Sequence, residues 1–107
     1  MEGLSDEAMF LISERFKALA EPMRLKLVRA MMSGEKNVSE LVALTGGLQA
    51  NVSKHLGVLL DAGIVGRRKQ GTSSYYSIQD PVVYELCDLM CGSVRERLAG
   101  ELKGFSG

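Results

Sequence analysis

The sequence predicts a mainly helical fold with one small β-hairpin, and three observations support this fold class. Apolar residues recur at three- and four-residue steps along the N-terminal part of the chain, which is the period of a helix with one buried face. Two further helical patterns then meet at the glycine pair Gly46 and Gly47. After Gly63 the period changes to two, which is typical of strands.

Two helices are expected before the first interior glycine. Ser5 is a good N-cap because acidic residues occupy the first turn after it, where the helix dipole favours negative charge. The amphipathic pattern then continues to about Ala20. Pro22 suits the first position of a second helix, and Gly34 suits its C-terminal end.

Residues 38–62 are predicted to form two helices joined by a tight turn. Asn37 and Glu40 have the spacing of a capping box at the start of a short helix, which ends at Gly46–Gly47. A second helix is expected to begin near Gln49 and to continue to Ala62. Two helices joined by a short turn that contains glycine form a helix-turn-helix.

Residues 64–78 are predicted to form the hairpin, with turn residues at positions 70–73. Asp80 and Pro81 then suit the start of a last helix, which is expected to fray near Gly100 or Gly104. The predicted order is four helices, two strands and a fifth helix. This order is that of a winged helix-turn-helix in a single domain, residues 1–107, with 64–78 as the wing.

The charge distribution is uneven although the net charge is zero. Residues 49–78 carry four bases and one acid, a net charge of +3, whereas residues 1–21 carry a net charge of −3 and residues 79–107 one of −2. A basic central segment suits contact with nucleic acid, while the acidic ends serve another purpose.

The sequence shows no apolar run of about 18 residues and no signal segment, so a cytoplasmic protein is expected.

The second helix of the helix-turn-helix is expected to contact DNA bases. In this motif the N-terminal part of that helix faces the major groove. Its polar side chains can bond adenine, guanine or phosphates; they are Gln49, Asn51, Ser53 and Lys54. The alternative is an ordinary solvated helix face. His55 is predicted to touch the DNA backbone or neighbouring helices, because a lone histidine without further ligands is weak evidence for a metal site.

Three consecutive basic residues lie near the tip of the wing, namely Arg67, Arg68 and Lys69. Basic side chains at this position can contact the phosphates beside the DNA groove, which adds affinity but little sequence information. The alternative is that the charges protect a sheet edge from pairing with another chain. We expect phosphate contact.

Cys87 and Cys91 lie four residues apart on the last helix and therefore share one of its faces. The apolar arc of that helix is wider than one domain needs, so a second copy of the chain is expected to cover part of it. Three roles for the cysteines remain open: packing in a dimer seam, binding a thiophilic metal or metalloid ion, and thiol oxidation or reaction with reactive sulfur. Any metal ligands of this chain are expected to be these two thiols.

Several segments together resemble the ArsR/SmtB family of bacterial repressors over nearly the whole chain. They are Lys17-Ala18-Leu19-Ala20-Glu21-Pro22-Met23-Arg24-Leu25, Val38-Ser39-Glu40-Leu41, Val52-Ser53-Lys54-His55-Leu56 with Leu59, Ala62-Gly63-Ile64-Val65, and the wing with Gly71 and Tyr75-Tyr76. The resemblance implies a homodimer built on the terminal helices, residues 1–21 and 80–104. It also implies binding to double-stranded operator DNA and release from it when an effector binds.

The chain departs from the best-known metal sites of that family. Where many members carry Cys-x-Cys in the third helix, this chain has Val42-Ala43-Leu44. Its last helix has no histidine, and it has no N-terminal cysteine. A metal-sensing function therefore cannot be transferred from the resemblance alone.

The function expected from the sequence is that of a repressor that recognises an imperfect inverted repeat and leaves it after chemistry at Cys87 and Cys91. The alternatives are a winged-helix regulator without a cysteine effector, and a protein–protein interaction module. An enzyme is not expected, because neither cysteine has a partner histidine in its own helix and His55 lies in the DNA-reading helix.

Overall fold

The computed structural model describes residues 3–106, with side chains described as far as residue 101. The elements in chain order are α1 (Asp6–Leu19), α2 (Pro22–Met31), β1 (Lys36–Asn37), α3 (Val38–Thr45), α4 (Gln49–Asp61), β2 (Val65–Gln70), β3 (Ser73–Ile78) and α5 (Pro81–Ser106). The predicted winged helix-turn-helix order is confirmed, and most boundaries lie within a residue of those expected.

Side-chain caps explain where most of the helices begin. Ser5 accepts a hydrogen bond from the third residue of its helix, Glu21 does the same for α2, and Asn37 forms a complete capping box with Glu40. Asp80 accepts a hydrogen bond from the Val82 amide at the start of α5. Each bond satisfies a backbone donor that has no partner within its own helix.

The core lies where α2 packs on both α3 and α4. Its largest fully buried side chains come from α2, α3, α4 and the residue before β2: Leu27, Val28, Met31, Leu41, Val52, Leu56, Leu59 and Ile64. The buried residues of α4 recur at steps of three and four, which leaves the opposite side of that helix to solvent. Burial of these residues therefore fixes which side of α4, hereafter the reading helix, is exposed.

The sheet contains one strand that the sequence did not predict. Strands β2 and β3 form the hairpin, and β1 pairs antiparallel with the other edge of β3, which gives the order β1-β3-β2. A strand of two residues shows no periodicity of its own, and Asn37 also serves as the cap of α3. Tertiary pairing with Tyr75 and Tyr76 defines β1, so local sequence could not reveal it.

Helix α5 continues past the glycines where it was expected to fray and reaches Ser106. An interior glycine costs about 1 kcal/mol relative to alanine but does not by itself end a helix. At 1.5 Å per residue, the 26 residues of α5 span about 39 Å. The radius of gyration is 16.3 Å, against about 13 Å for a compact domain of this length, because α5 extends beyond its own core.

The turn between α3 and α4 depends on two glycines for different reasons. Gly46 ends α3 in the left-handed conformation, with φ of 73°, and its amide donates to the carbonyl of Val42. A Cβ atom at Gly47 would lie 3.0 Å from the side chains of both Met23 and Val52. The first glycine thus supplies backbone freedom, and the second allows α2 and α4 to approach closely.

We expect Gly46→Ala to lower the free energy of unfolding by about 1 kcal/mol, because a Cβ is strained in the left-handed region. Gly46→Asn is the matched control and should lose less, since asparagine tolerates that region better. Urea denaturation followed by circular dichroism measures both. Equal losses in the two variants would contradict the explanation from backbone strain.

Candidate nucleic-acid interface and thiol groove

The exposed side of α4 carries the polar residues that were predicted to contact DNA. Gln49, Asn51, Ser53 and Lys54 are all exposed. At about 100° per residue, Lys54 lies opposite the stripe formed by Val52, Leu56 and Leu59. Lys54 makes no ion pair within the part of the chain whose side chains are described. The side chains are therefore free to bond bases or phosphates, and their DNA contacts stay a prediction.

His55 contacts neighbouring helices, which is one of the two roles that the sequence predicted for it. Its side chain is only 13% exposed, and its Nδ1 lies 3.1 Å from Nη1 of Arg24 and 3.7 Å from a carboxylate oxygen of Glu21. Arg24 also donates to the carbonyl of Ala18 through Nε, at 2.6 Å. Arg24 thus joins the end of α1, the start of α2 and the reading helix.

The three basic residues of the wing have different surroundings in the structure. Arg67 and Lys69 are exposed and form no side-chain hydrogen bond or ion pair with the described side chains, whereas Arg68 donates twice to the carboxylate of Glu35, at 2.6 and 3.2 Å. The guanidinium of Arg68 also lies 4.9 Å from the ring centroid of Tyr75. Arg68 therefore holds the wing to the loop before β1.

Charge pairing between the wing and this loop shifts the pKa of both partners in the direction that favours their charged forms. The hydrogen bond from Arg68 lowers the pKa of Glu35, and the same bond raises the pKa of Arg68. Glu35 is therefore ionised at neutral pH and balances the charge of Arg68. Arg67 and Lys69 carry the charge of the wing that is available to a phosphate backbone.

Cys87 and Cys91 lie in a groove of about 660 Å³ between α5 and the α1–α2 corner of the same protomer. Its walls are mostly apolar and include a few basic residues. The first two helices and the residues that follow them contribute Phe16, Leu19, Ala20, Leu25, Lys26, Arg29 and Met32, and α5 contributes the cysteines, Leu86, Met90, Val94, Arg95 and Leu98. Nη1 of Arg29 donates to Sγ of Cys91 at 3.7 Å. Both thiols thus share the groove with the basic residues Lys26 and Arg29 of α2.

The two thiols have different surroundings. Burial raises the pKa of Cys87, and the nearby Cys91 and Asp88 raise it further. Cys87 is therefore a protonated thiol at neutral pH. Among the described residues, no three His, Cys, Asp or Glu side chains come together as potential metal ligands. One protomer therefore offers two thiols but not a three-ligand metal site of its own.

Sequence reasoning missed the partners that set these arrangements. Glu35, Arg24 and Arg29 lie far along the chain from Arg68, His55 and Cys91. No local periodicity indicates such pairs. The only available signal for Arg24 was its place in the segment that carries the family resemblance.

Comparison with known proteins identifies the family. The family model described as "Bacterial regulatory protein, arsR family" matches residues 21–66. The arsenical resistance operon repressor of Bacillus subtilis is 30% identical over 103 residues, which cover 94% of this chain and 98% of that protein. The chain belongs to the arsR family. It is therefore a DNA-binding transcriptional repressor rather than an enzyme.

Two further matches extend the likeness of this arsR-family chain. The probable mercury resistance operon repressor of Streptomyces lividans is 44% identical over 71 residues, which cover 66% of this chain but only 57% of that protein. A homodimeric winged helix-turn-helix DNA-binding domain from Mycobacterium bovis, a possible ArsR-family regulator, superposes with a TM-score of 0.79 at 31% identity, covering 92% and 94% of the two chains. The helices within residues 3–106 lack the combination of length and hydrophobicity that a membrane span requires.

We expect Arg67→Gln and Lys69→Gln each to flatten the salt dependence of DNA binding by about 1.8 in the slope of log K against log[salt]. This value corresponds to one lost phosphate contact, worth about 0.9, in each protomer of a dimer. Arg68→Gln is the matched control and should change the slope less, because Glu35 already pairs with that guanidinium. Fluorescence anisotropy over a range of salt concentrations measures all three. A larger change for Arg68→Gln than for its neighbours would contradict this division.

Proposed function

We propose that two copies of this chain bind an imperfect inverted repeat as a homodimeric repressor, and that chemistry at Cys87 and Cys91 releases them. The observation that carries the proposal is the position of both thiols in a groove lined by α2, the helix that also packs on α3 and α4. A change in the groove therefore acts directly on the helix that supports the DNA-reading motif.

The homodimer is supported by apolar side chains that one protomer leaves exposed. Nine of the thirteen large hydrophobic side chains exposed in the described part of the chain lie on α1 and α5; they are Met9, Phe10, Leu11, Phe16, Val82, Leu89, Met90, Val94 and Leu98. Only the first part of α5 packs on its own core, through Val83, Leu86 and Cys87. A second copy would remove this surface from water, which favours association.

A two-fold symmetric dimer favours a symmetric operator. Each protomer would place its α4 in the major groove, and the two half-sites would be separated by about 34–36 Å, or one helical turn, or by a multiple of that distance. Gln49, Asn51, Ser53 and Lys54 would face the bases, and Arg67 and Lys69 the flanking phosphates. His55 would support the reading helix through Arg24.

A thiophilic effector is supported by the chemistry of the groove. Thiolates bind soft metals and metalloids, and as nucleophiles they also attack oxidants and the electrophilic sulfur of polysulfides. Two relatives are named for resistance to mercury and to arsenicals. An ion that requires three thiolates would need a cysteine from the second protomer, because one protomer supplies two. Reaction with a peroxide or a polysulfide requires no third protein ligand, because the external reagent accepts two electrons from the thiols and the two cysteines of one protomer suffice.

Coupling between effector binding in the groove and DNA binding by α4 requires only a modest free energy. A difference of about 1–3 kcal/mol in effector affinity between the two states of a dimer changes DNA affinity about 5- to 150-fold. Arg29 and the apolar residues of α2 give the groove a direct connection to the core. In this mechanism the modified groove repacks the α1–α5 seam and alters the distance between the two reading helices.

We expect Leu89→Glu to raise the dissociation constant of the dimer by at least about tenfold, because it places a charge on an apolar face that is 75% exposed in one protomer. Leu44→Glu is the matched control, since Leu44 is also exposed but lies on α3. Sedimentation velocity over a concentration series measures both. A wild-type chain that stays monomeric would contradict the dimer, as would an unchanged Leu89→Glu dimer.

We expect one thiol-directed agent to release the reduced protein from DNA taken from upstream of its own gene. Arsenite, cadmium and a polysulfide donor are titrated separately while fluorescence anisotropy reports binding. Cys87→Ser and Cys91→Ser should bind DNA as the wild type does but resist release. If all three agents leave the wild type bound, the cysteines only pack and the thiol part of the proposal is wrong. Release that persists in both variants would place the effector site elsewhere.

A further inference from the structure

The reading helix is the exception to the capping pattern of this fold. The other four helices begin with a side chain that accepts a hydrogen bond from the first turn. Helix α4 begins after Leu48, and it has no side-chain cap hydrogen bond. The backbone of Leu48, with φ of −77° and ψ of 145°, has the extended conformation of an N-cap residue, so a serine would fit there.

Leu48 is also the most exposed of the large hydrophobic side chains in the described residues, at 79%. It gains nothing from the core, and it lies on the reading motif rather than on α1 or α5, where the dimer surface is proposed. Leucine is among the poorest N-cap residues, and a polar cap here would add about 1 kcal/mol of stability. Natural proteins break such local rules at functional or strained sites, and the backbone of Leu48 is in an ordinary extended conformation.

We infer that Leu48 contacts the C5-methyl group of a thymine and is a specificity-determining residue of the repressor. This inference rests on the proposed function, because it requires α4 to enter the major groove. The residues at the N-terminal end of that helix reach base edges there. The thymine methyl is the apolar group that the major groove presents, and apolar side chains recognise it.

The neighbouring side chains are consistent with this assignment. Gln49 and Asn51 are exposed on the same end of α4, and both side chains can bond adenine in bidentate fashion. An adenine on one strand is paired with a thymine on the other, so its base pair also presents a methyl group. Asn51 lies three positions after Leu48 and so on the same side of the helix start, and these two side chains can read A·T pairs by two different kinds of contact.

The test replaces thymines with uracils, which removes only the methyl groups. Wild-type protein first enriches duplexes from a random-sequence pool, and each thymine of one half-site is then exchanged in turn. We expect one exchange to weaken wild-type binding about fourfold, which is the effect of losing one apolar methyl contact. Leu48→Ala should bind the thymine and uracil duplexes equally, whereas Leu48→Met should keep the difference.

A stability measurement separates this role from a structural one. Leu48→Ser should raise the urea midpoint of unfolding, because serine can cap α4, and yet it should lose the thymine preference. Leu44→Ser is the matched control: it removes an exposed leucine from α3 and should keep that preference. Loss of the preference in both serine variants would overturn the assignment to Leu48.

Other outcomes distinguish failure of this inference from failure of the proposed function. If no uracil exchange affects the wild type, or if Leu48→Ala keeps the full preference, the thymine contact is wrong. If Asn51→Ala then still weakens binding to the enriched duplexes, α4 reads DNA without Leu48. A wild-type protein that enriches no sequence from the pool would overturn both.

Discussion

Helix α2 is buried on one side against α3 and α4, and the other arrangements in the protein depend on that packing. Leu27, Val28 and Met31 are fully buried there. Gly47 allows Met23 of α2 to approach the turn of the helix-turn-helix closely. The packing sets the orientation of α4 and leaves its polar side to solvent. It also places Arg29, on the outer side of α2, beside Cys91.

Two polar contacts extend this packed centre to the surfaces that function requires. Arg24 connects the α1–α2 corner to His55 on the reading helix, and Arg68 connects the wing to Glu35. The first adds a polar contact to a helix that its own buried residues already orient, and the second ties the mostly exposed wing to the loop before β1. Pre-positioned elements lose less conformational freedom when they bind, which favours affinity.

Local sequence predicted those features of the fold that have a local cause. Ser5, Asn37 and Asp80 cap helices at the positions expected from their neighbours, and Gly71 lies in the hairpin turn. Asn51, Ser53 and Lys54 of α4 are exposed for a similar reason, because the buried stripe at helical spacing leaves the other side of the helix to solvent; Gln49 is exposed at the start of the helix. Strand β1 was not predicted because it depends on pairing with β3. The end of α5 was not predicted because Gly100 and Gly104 do not terminate the helix.

The sequence by itself determined the order of the five helices and the hairpin, the family to which the chain is similar, and the polar residues that α4 exposes. These follow from periodicity, caps and turn residues, which act over a few positions. Only the tertiary structure decided that Arg68 is paired while Arg67 and Lys69 have no partner among the described side chains, that His55 contacts Arg24, and that the two cysteines share a groove with α2. Those relations join residues about 30 to 60 positions apart, and packing of the whole chain brings them together.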